Sequence, residues 1–168
     1  SQEIGKPIEL DYSWDWENDP IITPTIVNEW RYLENLLGKK VLQGASIVVS
    51  VGGGGTSQTH KYLDPNTREF YIVNPGVWDL QHAGRPDEIT ETFLVRAIAE
   101  DLPLKNDSVN AIEIPATLDH VVDPEEVLRE CLRILSPGGK IGITLGNENS
   151  WYRLFIRALK LKFKDHHG

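Results

Sequence analysis

Residues 45–58 read ASIVVSVGGGGTSQ. The run Ala45 to Val51 is rich in β-branched residues, the composition of a short strand buried on both faces. Gly52, Gly53, Gly54 and Gly55 end it in a tight turn, where missing Cβ atoms let backbone N–H groups approach a ligand closely. A strand covered on both faces needs a layer on each side, and the rest of the chain supplies candidates. Downstream, Glu69 to Val73 (EFYIV), Thr92 to Ala97 (TFLVRA), Ala111 to Ile114 (AIEI) and Lys140 to Leu145 (KIGITL) read as further strands. Helical signals separate several of them, and strands alternating with helices predict an α/β domain.

The clearest helix opens at Asp123-Pro124-Glu125-Glu126, which combines a capping residue, a first-turn proline and acids at the positive helix end. Its apolar face is Val127, Leu128, Cys131 and Leu135, and Ser136-Pro137-Gly138-Gly139 turns it into the last strand. Gln58 to Leu63 is expected to begin the helix after the glycine turn. Upstream, Thr23-Pro24 opens a helix that carries Ile26, Val27, Trp30, Leu33 and Leu37 on one face, with Gly38 as its stop. Residues 1–22 form an aromatic N-terminal arm with Tyr12, Trp14 and Trp16, and residues 23–168 form the domain, closing with a helix from Trp151 to Lys162.

With 168 residues, 17 Lys plus Arg against 25 Asp plus Glu and a formal charge of -8, the chain is sized for one domain and is a poor match for nucleic acid, whose binders concentrate positive charge. Cys131 has no second cysteine to pair with, and no leader or membrane-spanning apolar run is visible, so a cytoplasmic location is expected. The absence of Met and the start at Ser1 predict processed or cut ends. The glycines miss the dinucleotide fingerprint, since Gly52 and Gly54 lead to Ser57 while Gly53 and Gly55 lead to Gln58. Lys61 lacks the neighbours of a nucleoside-triphosphate loop, and no Cys or His cluster has metal-ligand spacing.

Four segments in order resemble the class I S-adenosylmethionine-dependent methyltransferases, in particular their small-molecule branch. They are the glycine turn, Tyr71 to Pro75, the stretch from Ala99 through Asp101-Leu102-Pro103 to Ile112, and Leu118 to Lys140 with Leu128-Arg129-Glu130 and Arg133 to Gly139. The resemblance implies a Rossmann-like three-layer sandwich with a mainly parallel sheet and S-adenosylmethionine as cofactor. It assigns Ser50, Gly52, Gly53 and Gly54 to the methionyl end, and Asn74 to the ribose. Glu100, Asp101 and Leu102 go to the adenine, and Pro115, with Ala116, to the border of sulfonium and substrate. The family usually has acids where this chain has Ser50 and Asn74, and a glycine at Thr56. Its closing antiparallel hairpin is expected to be missing here, which leaves a sheet edge open to a homodimer or marks a shortened chain.

Methyl transfer is an in-line displacement that chiefly needs alignment, plus a base where the acceptor must lose a proton. His120, just after the fourth strand, is the candidate base, because imidazole titrates near neutrality. His60 reads as a surface group, His82 has no assigned role, the terminal His166-His167 could touch metal only adventitiously, and Cys131 reads as a packing thiol. Trp14, Trp16 and Trp78 are candidate walls of a substrate pocket, and the basic face from Arg153 to Lys164 reads as solvated. Two functions follow: methyl transfer to a small-molecule acceptor, or a non-catalytic domain of this fold that binds a ligand or partner.

Overall fold

A computed structural model describes residues 32, 35, 36, 38–55, 57–86 and 90–145. Five strands, β1 (Ile47–Val51), β2 (Glu69–Val73), β3 (Glu91–Val95), β4 (Val109–Pro115) and β5 (Leu135–Thr144), form one sheet in the order β3-β2-β1-β4-β5. Every pairing is parallel. The chain winds outward from β1 to β3 on one side, then returns to β4 beside β1 and continues to β5. The order therefore reverses between β1 and β4, the place where open parallel sheets form a ligand crevice at their carboxyl edge.

Both faces of the sheet are covered, which is why β1 carries almost no polar side chain. On one face Val49, Val51, Ile112 and Ile114 pack with Val127, Cys131 and Ile134 of helix α2 (Pro124–Ile134). On the other, Val48, Phe70, Ile72 and Ala111 pack with Val41 and Leu42, the end of an N-terminal helix, and with Leu80 of the short helix α1 (Val77–Gln81). Residues 127, 131 and 134 recur at helical spacing, and full burial of each aliphatic side chain is worth roughly 1.5–3 kcal/mol. Tyr71 and Phe93, opposite one another on β2 and β3, stack with ring centroids 4.7 Å apart.

Three local readings are corrected. The N-terminal helix does not stop at Gly38 but runs on through residue 42, with Tyr62 lying against Gly38. Gln58 to Leu63 forms only a 3-10 turn, Thr59–Lys61, because the Asp64 side chain draws the chain into a new turn at once by accepting from Asn66 N (2.9 Å) and Gly44 N (2.8 Å). The stretch Ser136 to Gly139 is an irregular excursion within β5: Val109 pairs with Leu135, and the ladder resumes with Ala111 and Lys140. Gly138, at φ +80°, makes that excursion possible. The aromatic arm, Trp14, Trp16, Trp30, Thr56, the helix from Trp151 and any closing hairpin lie outside the described residues.

Helix α2 starts as its sequence demands. The Asp123 carboxylate accepts from Glu125 N (3.0 Å) and Glu126 N (3.1 Å), with Pro124 at the first helical position. Asp123→Ala leaves those donors to water and should lower the unfolding free energy by about 1 kcal/mol, read as a lower urea midpoint at unchanged slope.

Candidate functional site

The glycine turn leaves the carboxyl end of β1 and is crowded by its own protein. Gly52 has φ +74°, a conformation strained for L residues, and the Thr117 side chain fills the space its Cβ would need. That threonine, in the loop after β4, donates from Oγ1 toward Val51 O (3.2 Å) and Pro115 O (2.8 Å). A Cβ on Gly54 would meet Asp79 Cβ at 2.6 Å, and one on Gly55 would meet the Trp78 ring at 3.0 Å. Loops from β2 and β4 thus converge on the turn, and only glycine tolerates both.

Asn74, buried just beyond β2, ties the turn down. Its Nδ2 donates to Gly52 O (3.2 Å) and Gly53 O (3.1 Å), while Oδ1 accepts from Gly76 N (2.8 Å). A carboxylate at this position would face two carbonyl oxygens with no proton to share. The amide in place of the family's acid is therefore a fit to this turn, not merely a weaker acceptor.

Beneath the turn lies a polar cluster that motif reading missed. Glu113, in the middle of β4 and only 2% exposed, accepts a hydrogen bond from Thr59 Oγ1. Thr59 Oγ1 in turn lies 2.7 Å from Ser57 Oγ and 3.4 Å from Ser50 Oγ. Ser50 and Glu113 are register partners on β1 and β4, so the buried carboxylate sits one strand over from the position where the family pattern places one. Burial pushes the Glu113 carboxyl above its ordinary value, partly opposed by the Thr59 hydrogen bond. The signal in the sequence was one acid between isoleucines, Ile112-Glu113-Ile114.

A narrow cleft opens beside this cluster, lined by Ser50, Gly53, Ser57, Thr59, His60 and Ile72 among others. The His60 ring packs against Gly84, and desolvation, followed by the charge of Lys61, lowers its pKa. Trp78 stacks on His82 at 4.3 Å, and His82 Nδ1 lies 2.8 Å from Trp78 O, so the histidine that had no assigned role braces the tryptophan beside the turn. Cys131 is fully buried, and desolvation pushes its thiol up to about 12, the behaviour of a packing group.

The other expected site residues border the crevice from β4 and from the loop before it. Glu100 Oε1 accepts from Val122 N (2.9 Å) and Asp123 N (3.3 Å), which commits it to the loop entering α2. Leu102 is buried, and its N–H is held by Glu130 Oε2 at 2.8 Å, so it anchors the turn from below. Asp101 is exposed. Arg133, part of the fourth motif segment but given no role there, donates to Leu102 O and Leu104 O (2.8 Å each), to Asn106 Oδ1 and to Glu130, and so fastens the acid-Leu-Pro turn to α2. Pro115 ends β4, Ala116 follows in a left-handed conformation (φ +44°), and exposed His120 stands beyond, its Nε2 3.8 Å from Asp119 Oδ2.

Two outcomes test this geometry. Asn74→Asp removes both donors from the glycine carbonyls and should cost about 1–3 kcal/mol of stability, measured by urea denaturation. For Glu113, the protonated carboxyl contributes stability that is complete below its ordinary value of 4.5 and is lost as pH rises through the raised folded value. Glu113→Gln keeps an acceptor for Thr59 without a charge. Its melting temperature should therefore fall less than the wild type's between pH 4.5 and 8, and differential scanning calorimetry across that range checks it.

A protein-family model described as a methyltransferase domain matches residues 49–143. The chain is 40% identical over 157 residues to the ubiquinone biosynthesis O-methyltransferase of Pseudomonas putida (strain GB-1), covering 88% of this chain and 63% of that protein. It is 29% identical over 166 residues to the protein of the same name from Paracidovorax citrulli (strain AAC00-1), covering 94% of this chain and 66% of that one. A crystal structure of a SAM-dependent methyltransferase from Thermotoga maritima shares the fold, with a TM-score of 0.60 at 24% identity over 80% of this chain and 61% of that chain. The chain thus spans a little under two thirds of the length of these curated relatives. The family match begins in β1 and ends in β5, so it takes in the whole parallel sheet and the turns at its carboxyl edge, and this chain belongs to the class I S-adenosylmethionine-dependent methyltransferases.

Proposed function

We propose that the protein transfers a methyl group from S-adenosylmethionine to a hydroxyl oxygen of a small-molecule acceptor. The observation that carries this reading is the glycine turn pinned between the end of β2 and the loop after β4, at the point where the strand order reverses. The chemistry of the groups there fits the cofactor, whose adenine amino group, ribose hydroxyls and ammonium are all donors. Asp101 offers a carboxylate for the amino group, and the second lone pair of Asn74 Oδ1 accepts one bond from the ribose. Ser50 and Ser57 are among the residues that line the cleft beside the turn, which this reading gives to the methionyl end. When bound, the cofactor supplies an electrophilic methyl group on a sulfonium.

An oxygen acceptor is the class supported by the relatives' names, and a hydroxyl must lose its proton as the new bond forms. His120, with Asp119 beside it, is the base in this reading, while Pro115 and Ala116 bound the space between donor and acceptor. The competing reading is a domain of the same fold that binds without turnover. It is favoured by the commitment of both Asn74 donors to the turn and by the packing of Trp78 and Asp79 against Gly55 and Gly54.

Titration calorimetry with S-adenosylmethionine and S-adenosylhomocysteine, with NADH as a control, separates the readings. Micromolar binding of the first two and none of NADH is expected, and His120→Ala should leave the S-adenosylhomocysteine affinity unchanged, because the base faces the acceptor. Silence at millimolar ligand in a folded sample overturns the cofactor reading.

A further inference from the structure

A carboxylate in the centre of a β-sheet is expensive, and the neighbours of Glu113 along β4 are apolar: Ala111, Ile112 and Ile114 are fully buried. Packing alone would be served by an aliphatic residue. What the carboxylate does is orient hydroxyls. The one proton of the Thr59 hydroxyl goes to Glu113 Oε2, so Thr59 Oγ1 has only lone pairs left for its two other neighbours. Ser57 Oγ and Ser50 Oγ must then both donate toward it. Ser57 Oγ already accepts from Thr59 N (3.3 Å), which fixes that rotor further. Both serines border the cleft, Ser50 from a fully buried position, so with their protons drawn inward the hydroxyls have only lone pairs left to offer there.

We propose that Glu113, acting through Thr59, is a positioning residue that makes the cleft under the glycine turn a wall of acceptors selective for a cationic N–H donor, the ammonium group of the bound ligand. The proposal rests on the cofactor reading above, which supplies such a ligand. Glu113 itself does not line the cleft; it sets the direction of the hydroxyls that do. An amide at position 113 meets the same threonine either through its oxygen, which keeps the acceptor, or through its NH2, which reverses the relay, so the serine protons are no longer held in one direction. Because burial of the charge disfavours the fold at neutral pH, a selective function gives a reason for a carboxylate at such a site.

The test compares the affinities of S-adenosylhomocysteine and its deamino analogue, which lacks only the ammonium, by calorimetry on wild type, Glu113→Gln and Thr59→Ser. A hydrogen bond to a charged group corresponds to a preference of about 10-fold or more. Wild type should prefer the ammonium-bearing ligand by that factor. Glu113→Gln should bring the ratio close to one with the analogue's own affinity unchanged, and Thr59→Ser, which keeps the hydroxyl, should retain the preference. If Glu113→Gln does not fold, Thr59→Val carries the same expectation. An unchanged ratio in a folded variant, while wild type binds both ligands, overturns the relay alone. Failure of wild type to bind either ligand overturns the cofactor reading and the relay with it.

Discussion

One amide fixes the spacing on which the carboxyl edge of this sheet depends. Asn74 Nδ2 bridges the carbonyls of Gly52 and Gly53 while its Oδ1 holds Gly76 N, so the end of β2, the turn after β1 and the start of α1 are set by one planar group. From the other side Thr117 Oγ1 reaches Val51 O, bringing the loop after β4 to the same turn. Remove the amide and the described hold on the turn from the β2 side is reduced to the bond from Gly52 N to Val73 O (2.7 Å). The glycines are thus explained first by contact with the protein and only then by contact with a ligand: Gly52 yields to Thr117, and Gly54 to Asp79. A cradle held this closely is pre-formed, and pre-formed sites spare binding the ordering of a loop.

The same region shows how charge is distributed through the fold. Arg133 and Glu130 share a face of α2, where their ion pair is solvated on one side and spends its remaining hydrogen bonds on the backbone of Leu102 and Leu104. Partial exposure keeps the desolvation of that pair small. Glu113 is the opposite case, a carboxylate buried in the sheet with the Thr59 hydroxyl as its hydrogen-bond partner among the contacts described. The first arrangement fastens a turn at little cost. The second opposes folding at neutral pH and is accordingly where a reason beyond packing is required.

Much of the sheet was legible because its strands are bounded by strong punctuation. β2 was read to its ends, since Asn74-Pro75-Gly76 closes it and the run EFYIV has no competing period. β4 was read short because Asn110 looks like a loop residue, yet its Oδ1 accepts from Ile47 N at 2.9 Å and so belongs to the ladder region between β1 and β4. The expected helix after the glycine turn is only a 3-10 turn because Pro65 disfavours helical backbone at Asp64, whose side chain then takes Asn66 N. In the site, the glycine turn and the acid-Leu-Pro turn were visible as local motifs. Glu113, Thr59 and Arg133 were not, since their roles arise from register and tertiary contact, and nothing local separates a buried strand acid from an exposed one.

The substitutions that depart from the family pattern are coupled in space, and this bears on whether the site has decayed. A decaying site loses groups independently, leaving cavities or unsatisfied partners. Here the Asn74 side chain has all three of its described hydrogen bonds well formed, Ser50 lies in register with a carboxylate on the next strand, and among the described residues no buried side-chain polar atom lacks a partner. Moving a negative charge from β1 to β4 while turning an acid into an amide on β2 lowers the charge facing the turn and keeps every donor matched. Such mutual adjustment is what selection on a working arrangement leaves behind. On the cofactor reading proposed above, the altered motif is a rebuilt site, whose polarity is set from beneath by β4 and from the side by β2.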